Sequence, residues 1–433
     1  MVFAIRENQK ESEERNMEKL RIGVVGVGRG GMMLQFCSVA QNAKLVAICD
    51  KWEEGLMAKK NELNDPDVSY YTDYDEFLKH GEMDAVLLAN YANEHAPFAI
   101  KALKAGYSVI SEVLPCQTMK EAVELVETIE ATGKTYCYAE NYCYMPGPYE
   151  MKRRYRAGQI GEFQYAEGEY VHNCEPGWTD LTYGDPDHWR NNMHANFYCT
   201  HSLGPIVHIT GLRPVKVNGF ELPISDMNMR MGSKSGIAGV EMVTFENGAV
   251  AKSIHGGLYM NNISYILYGS KGRYETAREC AGQDDVRTLY AQWFDHEGDY
   301  SCGHGEVVHP KVVEGDDIPA FGHSGSDYYC LWNAIEKIKG NPEADAIDVY
   351  EALDMYLPGM FAYRSVLAGG IPMDVPNLRN PDERDQWRND TSCNDPKVAG
   401  DMLLPTYSKG TPDIPAEVYE RHQKIWREHH TQR

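Results

Sequence analysis

A glycine-rich segment near the N-terminal end has the spacing that binds a dinucleotide. Gly26-Val-Gly28-Arg29-Gly30-Gly31 follows the apolar run 20–25 directly and precedes a helical pattern. In that setting the glycines permit a tight turn, a close approach of the backbone to a pyrophosphate and close helix–strand packing. Asp50 ends the next apolar run, where a carboxylate accepts hydrogen bonds from ribose hydroxyls and repels a 2′-phosphate. We predict that the segment 26–31 and Asp50 bind NAD rather than NADP.

Polar residues also follow the next three apolar runs. Asn90, Asn93 and His95 come after the third run, Glu112 ends the fourth, and Asn141 follows the fifth. Loops at the carboxyl ends of the strands line the ligand crevice of a doubly wound sheet. We therefore predict that these five residues contact the cofactor, with a helix-cap or surface position as the alternative for His95.

Five residues have side chains suited to moving protons. Tyr198 and His201 are three residues apart in a predicted helix, so they share a face, and imidazole titrates near neutral pH. Glu140 ends the fifth apolar run, His172 lies near the end of a later strand, and His323 stands in a Gly-flanked loop. We predict catalytic roles for all five. The alternatives are a structural ion pair for Glu140 and core or surface positions for the histidines.

A short aromatic and basic segment is suited to recognising a sugar. His188, Trp189 and Arg190 are consecutive, and together they offer stacking and hydrogen bonds to hydroxyls; a surface loop is the alternative. Glu140, His172 and His201 are also side chains of metal-ligand type. No closely spaced histidine pair accompanies them, so a divalent metal is only the less favoured alternative.

The spacing of apolar runs predicts the elements that position these residues. Runs at 20–25, 44–50, 84–90, 107–112 and 134–140 alternate with helical patterns, which is typical of an α/β Rossmann domain with a doubly wound parallel sheet. Strand patterns then follow in a block at 163–172, 214–221, 239–245, 249–256, 263–269 and 272–275. They predict an α+β domain with an open, mostly antiparallel sheet, one face of which needs covering.

These patterns divide the chain into four predicted segments. Residues 1–18 are a polar N-terminal extension, 19–143 the NAD-binding Rossmann domain, 144–375 the substrate and oligomerisation domain, and 376–433 a C-terminal tail.

Composition excludes several classes of partner. The formal net charge is -22, so the surface repels phosphate backbones and anionic lipid, and we expect no nucleic-acid or membrane partner. No apolar stretch has the length of a membrane span or signal peptide,. We predict a cytoplasmic protein.

The order of these motifs resembles the Gfo/Idh/MocA oxidoreductases over residues from about 20 to about 375. Most of that family has Glu-Lys-Pro at the end of the fourth strand, whereas this chain has Glu112-Val113-Leu114-Pro115. The segments Cys137-Tyr-Ala-Glu140-Asn141-Tyr-Cys-Tyr144 and Tyr198-Cys-Thr-His201-Ser-Leu-Gly-Pro205 are similar to those of the NAD-dependent family 109 glycoside hydrolases. The family covers its open sheet by oligomerising, which implies a homodimer or homotetramer.

The resemblance implies an NAD-dependent glycosidase acting on a small glycoside. The sugar is oxidised at C3, with a tightly bound, recycled NAD as hydride acceptor. Glu140 or His201 removes the acidified C2 proton, the aglycone is eliminated, water adds and the ketone is reduced again. One alternative is an NAD-dependent glycoside or inositol dehydrogenase that releases a 3-keto sugar. Another is a sensor that binds NAD and a sugar without turnover.

Overall fold

The computed structural model describes residues 18–278, 286–298, 303–311 and 321–431. Within these ranges the chain forms two compact units. The first contains residues 18–117, 121–141 and 321–349, and the second contains 118–120, 142–311 and 350–431. The predicted N-terminal extension lies outside the described residues except for Glu18. Residues 350–431, which include residues 376–431 of the predicted tail, belong to the second unit.

The first unit is built on a parallel sheet of six strands in the order β3-β2-β1-β4-β5-β6. This confirms the predicted doubly wound sheet. Its strands are short and buried because both faces are covered by helices. They are β1 Leu20–Val25, β2 Ala43–Cys49, β3 Ser69–Tyr71, β4 Ala85–Leu88, β5 Ser108–Ser111 and β6 Tyr136–Tyr138.

The second unit contains a nine-stranded sheet in the order β14-β13-β12-β11-β7-β10-β9-β8-β15. Strands β7 and β10 pair in parallel, and the other pairs are antiparallel, as the block of strand patterns predicted. The strands are β7 Phe163–Val171, β8 Pro214–Glu221, β9 Ala238–Phe245, β10 Val250–Gly256, β11 Asn262–Gly269, β12 Gly272–Thr276, β13 Leu289–Phe294, β14 Gly303–Val308 and β15 Met373–Asp374.

Fifteen α-helices occur in the described residues. They are α1 Gly30–Val39, α2 Glu53–Leu63, α3 Tyr74–Phe77, α4 His95–Lys104, α5 Met119–Thr132, α6 Pro146–Arg156, α7 Trp178–Thr182, α8 Trp189–Asn192, α9 Thr200–Thr210, α10 Asp226–Met231, α11 Ser326–Ile338, α12 Val349–Leu367, α13 Pro381–Trp387, α14 Pro396–Ala399 and α15 Ala416–Thr431. None of them is both long and apolar enough to cross a membrane.

Helix α11 belongs to the first unit, although the predicted boundary at 143 placed it in the second domain. Its apolar face is buried on α1, where the Tyr328 ring lies 5.2 Å from that of Phe36, and Leu331 and Ile335 are fully buried. This packing brings the loop before α11, with His323, into the first unit.

Helix α9 lies directly on one face of the second sheet. Every residue from Thr200 to Thr210 is buried. Gly168 on β7 makes this approach possible, because a Cβ there would lie 1.9 Å from the backbone oxygen of Ser202. The hydroxyl of Tyr265 on β11 donates a hydrogen bond of 2.7 Å to the carbonyl of His201. The sheet therefore fixes the start of α9.

Candidate functional site

The glycine-rich loop has the geometry that a bound pyrophosphate requires. Gly26 has φ +97°, and a Cβ there would lie 2.5 Å from the carbonyl oxygen of Ala89, so only glycine fits at this turn. A Cβ at Gly28 or Gly31 would meet nothing within 4 Å. Gly30 opens α1, so the positive end of the helix dipole lies at this loop,.

Asp50 lies beside that loop. Its carboxylate accepts hydrogen bonds from the backbone N–H of Val27 (2.7 Å) and of Trp52 (2.8 Å). Each oxygen keeps a second lone pair for a ribose hydroxyl. The structure therefore places Asp50 where the sequence analysis expected the ribose partner.

Two asparagines after β4 carry buried acceptors that lack a protein partner. The side-chain oxygens of Asn90 and Asn93 are buried without a hydrogen bond to any described residue. The backbone N of Asn90 would lie 3.0 Å from a Cβ at Gly26, so this strand end adjoins the glycine-rich loop. Since buried polar groups normally have a partner, these orphaned oxygens fit a polar ligand such as NAD.

His95 is the first residue of α4 and has a structural contact. Its Nδ1 donates a hydrogen bond of 3.0 Å to the carbonyl of Leu114. The ring is buried, and burial lowers its pKa to about 4. A neutral imidazole that ties α4 to the segment after β5 matches the helix-terminal alternative for this residue.

A buried carboxylate, Asp327, joins four residues that the sequence analysis had singled out. Its Oδ1 accepts hydrogen bonds from Arg29 (2.9 Å) and from Asn141 (2.8 Å), and its Oδ2 lies 2.8 Å from Nδ1 of His323. Arg29 also binds Oε1 of Glu112 at 2.7 Å. The sequence analysis missed Asp327, because two of its partners, Arg29 and Asn141, come from distant segments of the chain.

The electrostatics of this cluster follow from its burial. Burial alone would raise the pKa of Asp327, but the hydrogen bond from His323 and the charge of Arg29 outweigh it and hold that pKa at about 2. Burial raises the pKa of Glu112, and the charge of Arg29 opposes that rise. The charge of Glu112 in turn raises the pKa of the Arg29 guanidinium. Arg29 thus holds two carboxylates beside the glycine-rich loop.

Glu140 follows β6 in the first unit and has no exposed surface. Its neighbour Asn141 is fixed by Asp327.

In the second unit, His201 is surrounded by tyrosine rings. The ring centroids of Tyr142 and Tyr170 lie 4.4 and 4.6 Å from that of His201, and that of Tyr198 lies 5.6 Å away. Burial raises the pKa of the Tyr170 phenol, so it is a proton donor at neutral pH. The sequence analysis had named His201 and Tyr198 but not Tyr142 or Tyr170. Spacing along the chain gives no signal for rings that meet from separate elements.

Tyr198 does not share the helix of His201, which corrects the sequence analysis. Helix α9 begins at Thr200, and Tyr198 lies in the turn before it. The two rings are still neighbours, because the turn folds Tyr198 back towards the first turn of the helix.

His172 has a sulfur neighbour. Its Nδ1 lies 3.0 Å from Sγ of Cys174, and its ring stacks on Tyr170 with centroids 5.9 Å apart. Burial raises the pKa of the Cys174 thiol. The structure therefore links His172 to the tyrosines around His201.

The predicted sugar-binding residues have three different environments. His188 precedes α8, and its Nδ1 accepts a hydrogen bond from the backbone N of Arg190 at 3.2 Å. The Trp189 ring stacks on Tyr198, with centroids 6.2 Å apart. The guanidinium of Arg190 lies over that indole, 4.4 Å from its centroid.

A cavity of about 90 Å³ opens beside this group. Of the predicted site residues, His172, Arg190 and Tyr198 line it, together with Tyr170. One wall is apolar and consists of Trp178, Met193, Met227, Met231 and Ile237. An apolar wall combined with a few polar side chains is typical of pockets that bind small molecules. We call this cavity the second-unit pocket.

A buried carboxyl lies behind the pocket. Glu241 Oε1 is 3.8 Å from Nε2 of the pocket-lining His255 and accepts a hydrogen bond of 3.3 Å from Asn196. Burial raises the pKa of Glu241 to about 8 and lowers the pKa of His255 to about 3. Both are therefore uncharged at neutral pH. The sequence analysis overlooked this pair, although both residues are in phase with the inward-facing residues of β9 and β10.

The metal alternative gains no support. Across the described ranges, no three His, Cys, Asp or Glu side chains are grouped to hold a metal ion.

Comparison with known proteins agrees with this geometry. Residues 20–140 match the sequence model of the oxidoreductase family with an NAD-binding Rossmann fold, Gfo/Idh/MocA. This match supports an NAD-binding Rossmann fold for these residues. The whole chain is similar to a glycosyl hydrolase family 109 protein of Solibacter usitatus, with 25% identity over 416 residues that cover 85% of this chain and 89% of the relative. Both findings confirm the resemblance seen in the sequence.

Solved structures show the same fold. An oxidoreductase from Agrobacterium radiobacter, in complex with NAD+, L-tartaric acid and magnesium, is 15% identical with a TM-score of 0.67, covering 83% of this chain and 99% of its own. Myo-inositol 2-dehydrogenase from Lactobacillus plantarum is 19% identical with a TM-score of 0.64, covering 83% and 100%. The chain thus has the fold of NAD-binding oxidoreductases, and family 109 glycosyl hydrolases are among the proteins similar to it.

Proposed function

We propose that this protein is an NAD-dependent glycosidase that releases an aglycone through transient oxidation of the sugar. The observation that carries the proposal is the second-unit pocket, whose lining includes Tyr170, His172 and Tyr198 as proton-transfer groups. The ring of His201 adjoins those of Tyr170 and Tyr198. No Asp or Glu of the described chain lines that pocket. A conventional glycosidase needs two carboxyl groups at the glycosidic bond. Similarity to family 109 glycosyl hydrolases over most of the chain supports the same conclusion.

The cofactor is assigned to the first unit. The segment 26–31 would hold the pyrophosphate, Asp50 the ribose, and Asn90 and Asn93 further polar groups of NAD. Bound there, NAD supplies reversible hydride exchange with a sugar carbon. Arg29, held by Glu112 and Asp327, keeps the start of α1 in place.

The proton transfers are assigned to five side chains that are suited to moving protons. Glu140 or His201 takes the proton from C2, the bond between C1 and the glycosidic oxygen breaks, and the aglycone leaves as an alcohol. Water then adds at C1, and a proton returns to C2. Tyr198 and His172 donate to and accept from the sugar hydroxyls. His323, which pairs with Asp327, is proposed as a further proton-transfer group. A positioned proton transfer contributes roughly 10²- to 10⁴-fold in rate.

The substrate contacts are assigned to the pocket and its neighbours. Arg190 binds polar substituents of the sugar, and Trp189 orients both Arg190 and Tyr198. The apolar wall with Met227 and Met231 suits an apolar aglycone. His188 acts by capping the helix that carries Trp189 and Arg190.

We further propose a homodimer or homotetramer assembled through the second sheet. On the face opposite α9, Val240, Met242, Ile254 and Ile266 are only half-buried, although an apolar sheet face is normally covered. Met242→Glu should lower the molar mass measured by light scattering, whereas an unchanged mass would exclude this face as the interface.

One experiment distinguishes the proposal from its rivals. Aryl glycosides are added to the NAD-loaded protein, and aglycone release and NADH absorbance are followed separately. Release without net NADH supports the glycosidase. Stoichiometric NADH without release supports the dehydrogenase, which the similarity in fold to myo-inositol 2-dehydrogenase favours as the second candidate. Neither signal over a panel of sugars would support a binding protein.

A further inference from the structure

The lining of the second-unit pocket differs in charge from the rest of the chain. The chain has 64 acidic residues and a net charge of -22, yet among described residues the pocket is lined by none of them. The lining includes one arginine and three histidines, His172, His194 and His255. The nearest carboxyl behind the lining, Glu241, is kept uncharged by burial.

Arg190 is a half-buried cation that has no carboxylate partner among the described residues. Two other shielded arginines of this unit bind carboxylates: Arg154 binds Glu150 at 2.6 Å, and Arg364 binds Asp390 at 2.7 Å. Within the described ranges, no Asp or Glu oxygen lies at ion-pair distance from the Arg190 guanidinium. That guanidinium donates a hydrogen bond of 3.4 Å to the hydroxyl of Tyr198.

The orientation of Arg190 leaves its donors available to a ligand. Its guanidinium lies over the rings of Trp189 and Tyr198, at 4.4 and 5.5 Å. This stacking holds the planar group while most of its five N–H donors remain unused. A fixed guanidinium fork fits the paired oxygens of a carboxylate or sulfate. Its charge also reaches Tyr170 and Cys174, because it lowers the pKa of both against the effect of burial.

We propose that the second-unit pocket selects an anionic glycoside, whose carboxylate or sulfate group pairs with Arg190. This inference rests on the proposed function for the sugar part of the ligand. It adds the charge of the substrate, which the sequence motifs do not specify. Charge-assisted bidentate pairs are about twice as strong as neutral hydrogen bonds, so we expect a preference of about 10- to 100-fold in Kd.

The test measures binding separately from turnover. The NAD-loaded protein is titrated calorimetrically with the methyl glycosides of a hexose, of the corresponding hexuronic acid and of the hexose 6-sulfate, for several hexoses and both anomers. We expect an anionic form to bind at least 10-fold more tightly than its neutral counterpart. Tighter binding of the uronic acid identifies a carboxylate as the preferred group, and tighter binding of the 6-sulfate identifies a sulfate.

Three variants assign the preference to Arg190. Arg190→Gln should abolish it, and Arg190→Lys should retain part of it because the charge remains. Arg230→Gln is the matched control, since Arg230 is exposed in the same unit and already paired with Glu175 at 2.9 Å; it should bind like the unmodified protein. Raising the salt concentration should weaken only the anionic ligands.

Every other pattern overturns the inference. Equal binding of neutral and anionic forms, preference for the neutral form, no binding of any form, or a preference that survives in Arg190→Gln contradicts it. Hydrolysis of neutral glycosides with refusal of anionic ones would leave the proposed glycosidase intact and remove this inference. Tight binding of anionic glycosides without aglycone release would support this inference and contradict the proposed glycosidase.

Discussion

Replacing Asp327 by asparagine tests the buried cluster at the glycine-rich loop. Asp327 is 2% exposed and accepts hydrogen bonds from Arg29, Asn141 and His323. The amide of Asp327→Asn removes the negative charge and directs N–H groups at one or more of these donors. The variant should therefore lose stability. Its fold and the packing around position 327 should not change, because the asparagine side chain has nearly the size and shape of aspartate.

The magnitude follows from the pKa of this carboxyl. A folded-state pKa of about 2 against the ordinary 3.8 corresponds to about 2 kcal/mol in the free energy of unfolding at neutral pH. Because the folded-state pKa is depressed, this contribution is complete above pH 4 and is lost as the pH falls through 2. The remaining pair of Arg29 with Glu112 limits the total loss to roughly 2–4 kcal/mol.

The assay is urea unfolding followed by circular dichroism between pH 7 and pH 2. Asp374→Asn is the control, because the Asp374 side chain is 88% exposed and forms a surface ion pair with Lys216 at 3.3 Å. This variant should change the free energy of unfolding by less than about 0.5 kcal/mol. The difference between Asp327→Asn and the unmodified protein should shrink below pH 4. A variant as stable as the control at pH 7, or a difference independent of pH, would refute the reasoning.

Four further changes have defined outcomes. Gly26→Ala should lose NAD binding in calorimetry and lower Tm, because its Cβ would collide with the Ala89 carbonyl; retained binding would contradict the assigned loop. Asp50→Ala should weaken NAD and relax the discrimination against NADP, so NADP binding at least as tight as NAD binding in the unmodified protein would exclude the role. His201→Ala should lower turnover about 10²- to 10⁴-fold with Tm and bound NAD nearly unchanged, since the hydrogen bond from Tyr265 goes to the backbone carbonyl of this residue, which the variant keeps; an unfolded variant would mean that the residue is structural. Glu241→Gln should raise the free energy of unfolding at pH 7 by roughly 2–4 kcal/mol. The reason is that the folded-state pKa of Glu241, about 8, makes the unmodified protein lose stability as the pH rises from 4.5 to 8, whereas glutamine does not titrate. An identical pH dependence of stability in both proteins would show that Glu241 is ionised in the folded protein.

Strands and helices could be predicted from the sequence where an apolar run or a single repeating pattern of apolar residues spans the whole element. Strands β1 and β8 have the predicted bounds, since apolar runs and turn residues delimit them. Strand β3 has only three residues, and β14 begins with the sequence Gly-His-Gly; neither carries enough of a pattern to predict a strand. The unit to which helix α11 belongs depends on its packing against α1, and local sequence patterns contain no information on that packing.

The candidate site was only partly predictable for a related reason. Motif spacing identified Asp50, Glu112 and His201 one by one. Asp327 and Tyr170 act through contacts between distant segments, so no spacing could indicate them. Tyr198 was placed inside α9 because a period of 3.6 residues continues across the turn, whereas the helix begins two residues later.

Turnover in D₂O tests the central claim most directly. Elimination and water addition exchange the C2 hydrogen with solvent, whereas direct displacement at C1 does not. The account predicts aglycone release without net NADH and one deuterium at C2 of the released sugar. Glu140→Gln should suppress both if Glu140 is the base, and their survival would move that role to His201. Complete hydrolysis with no deuterium at C2 would contradict the redox mechanism.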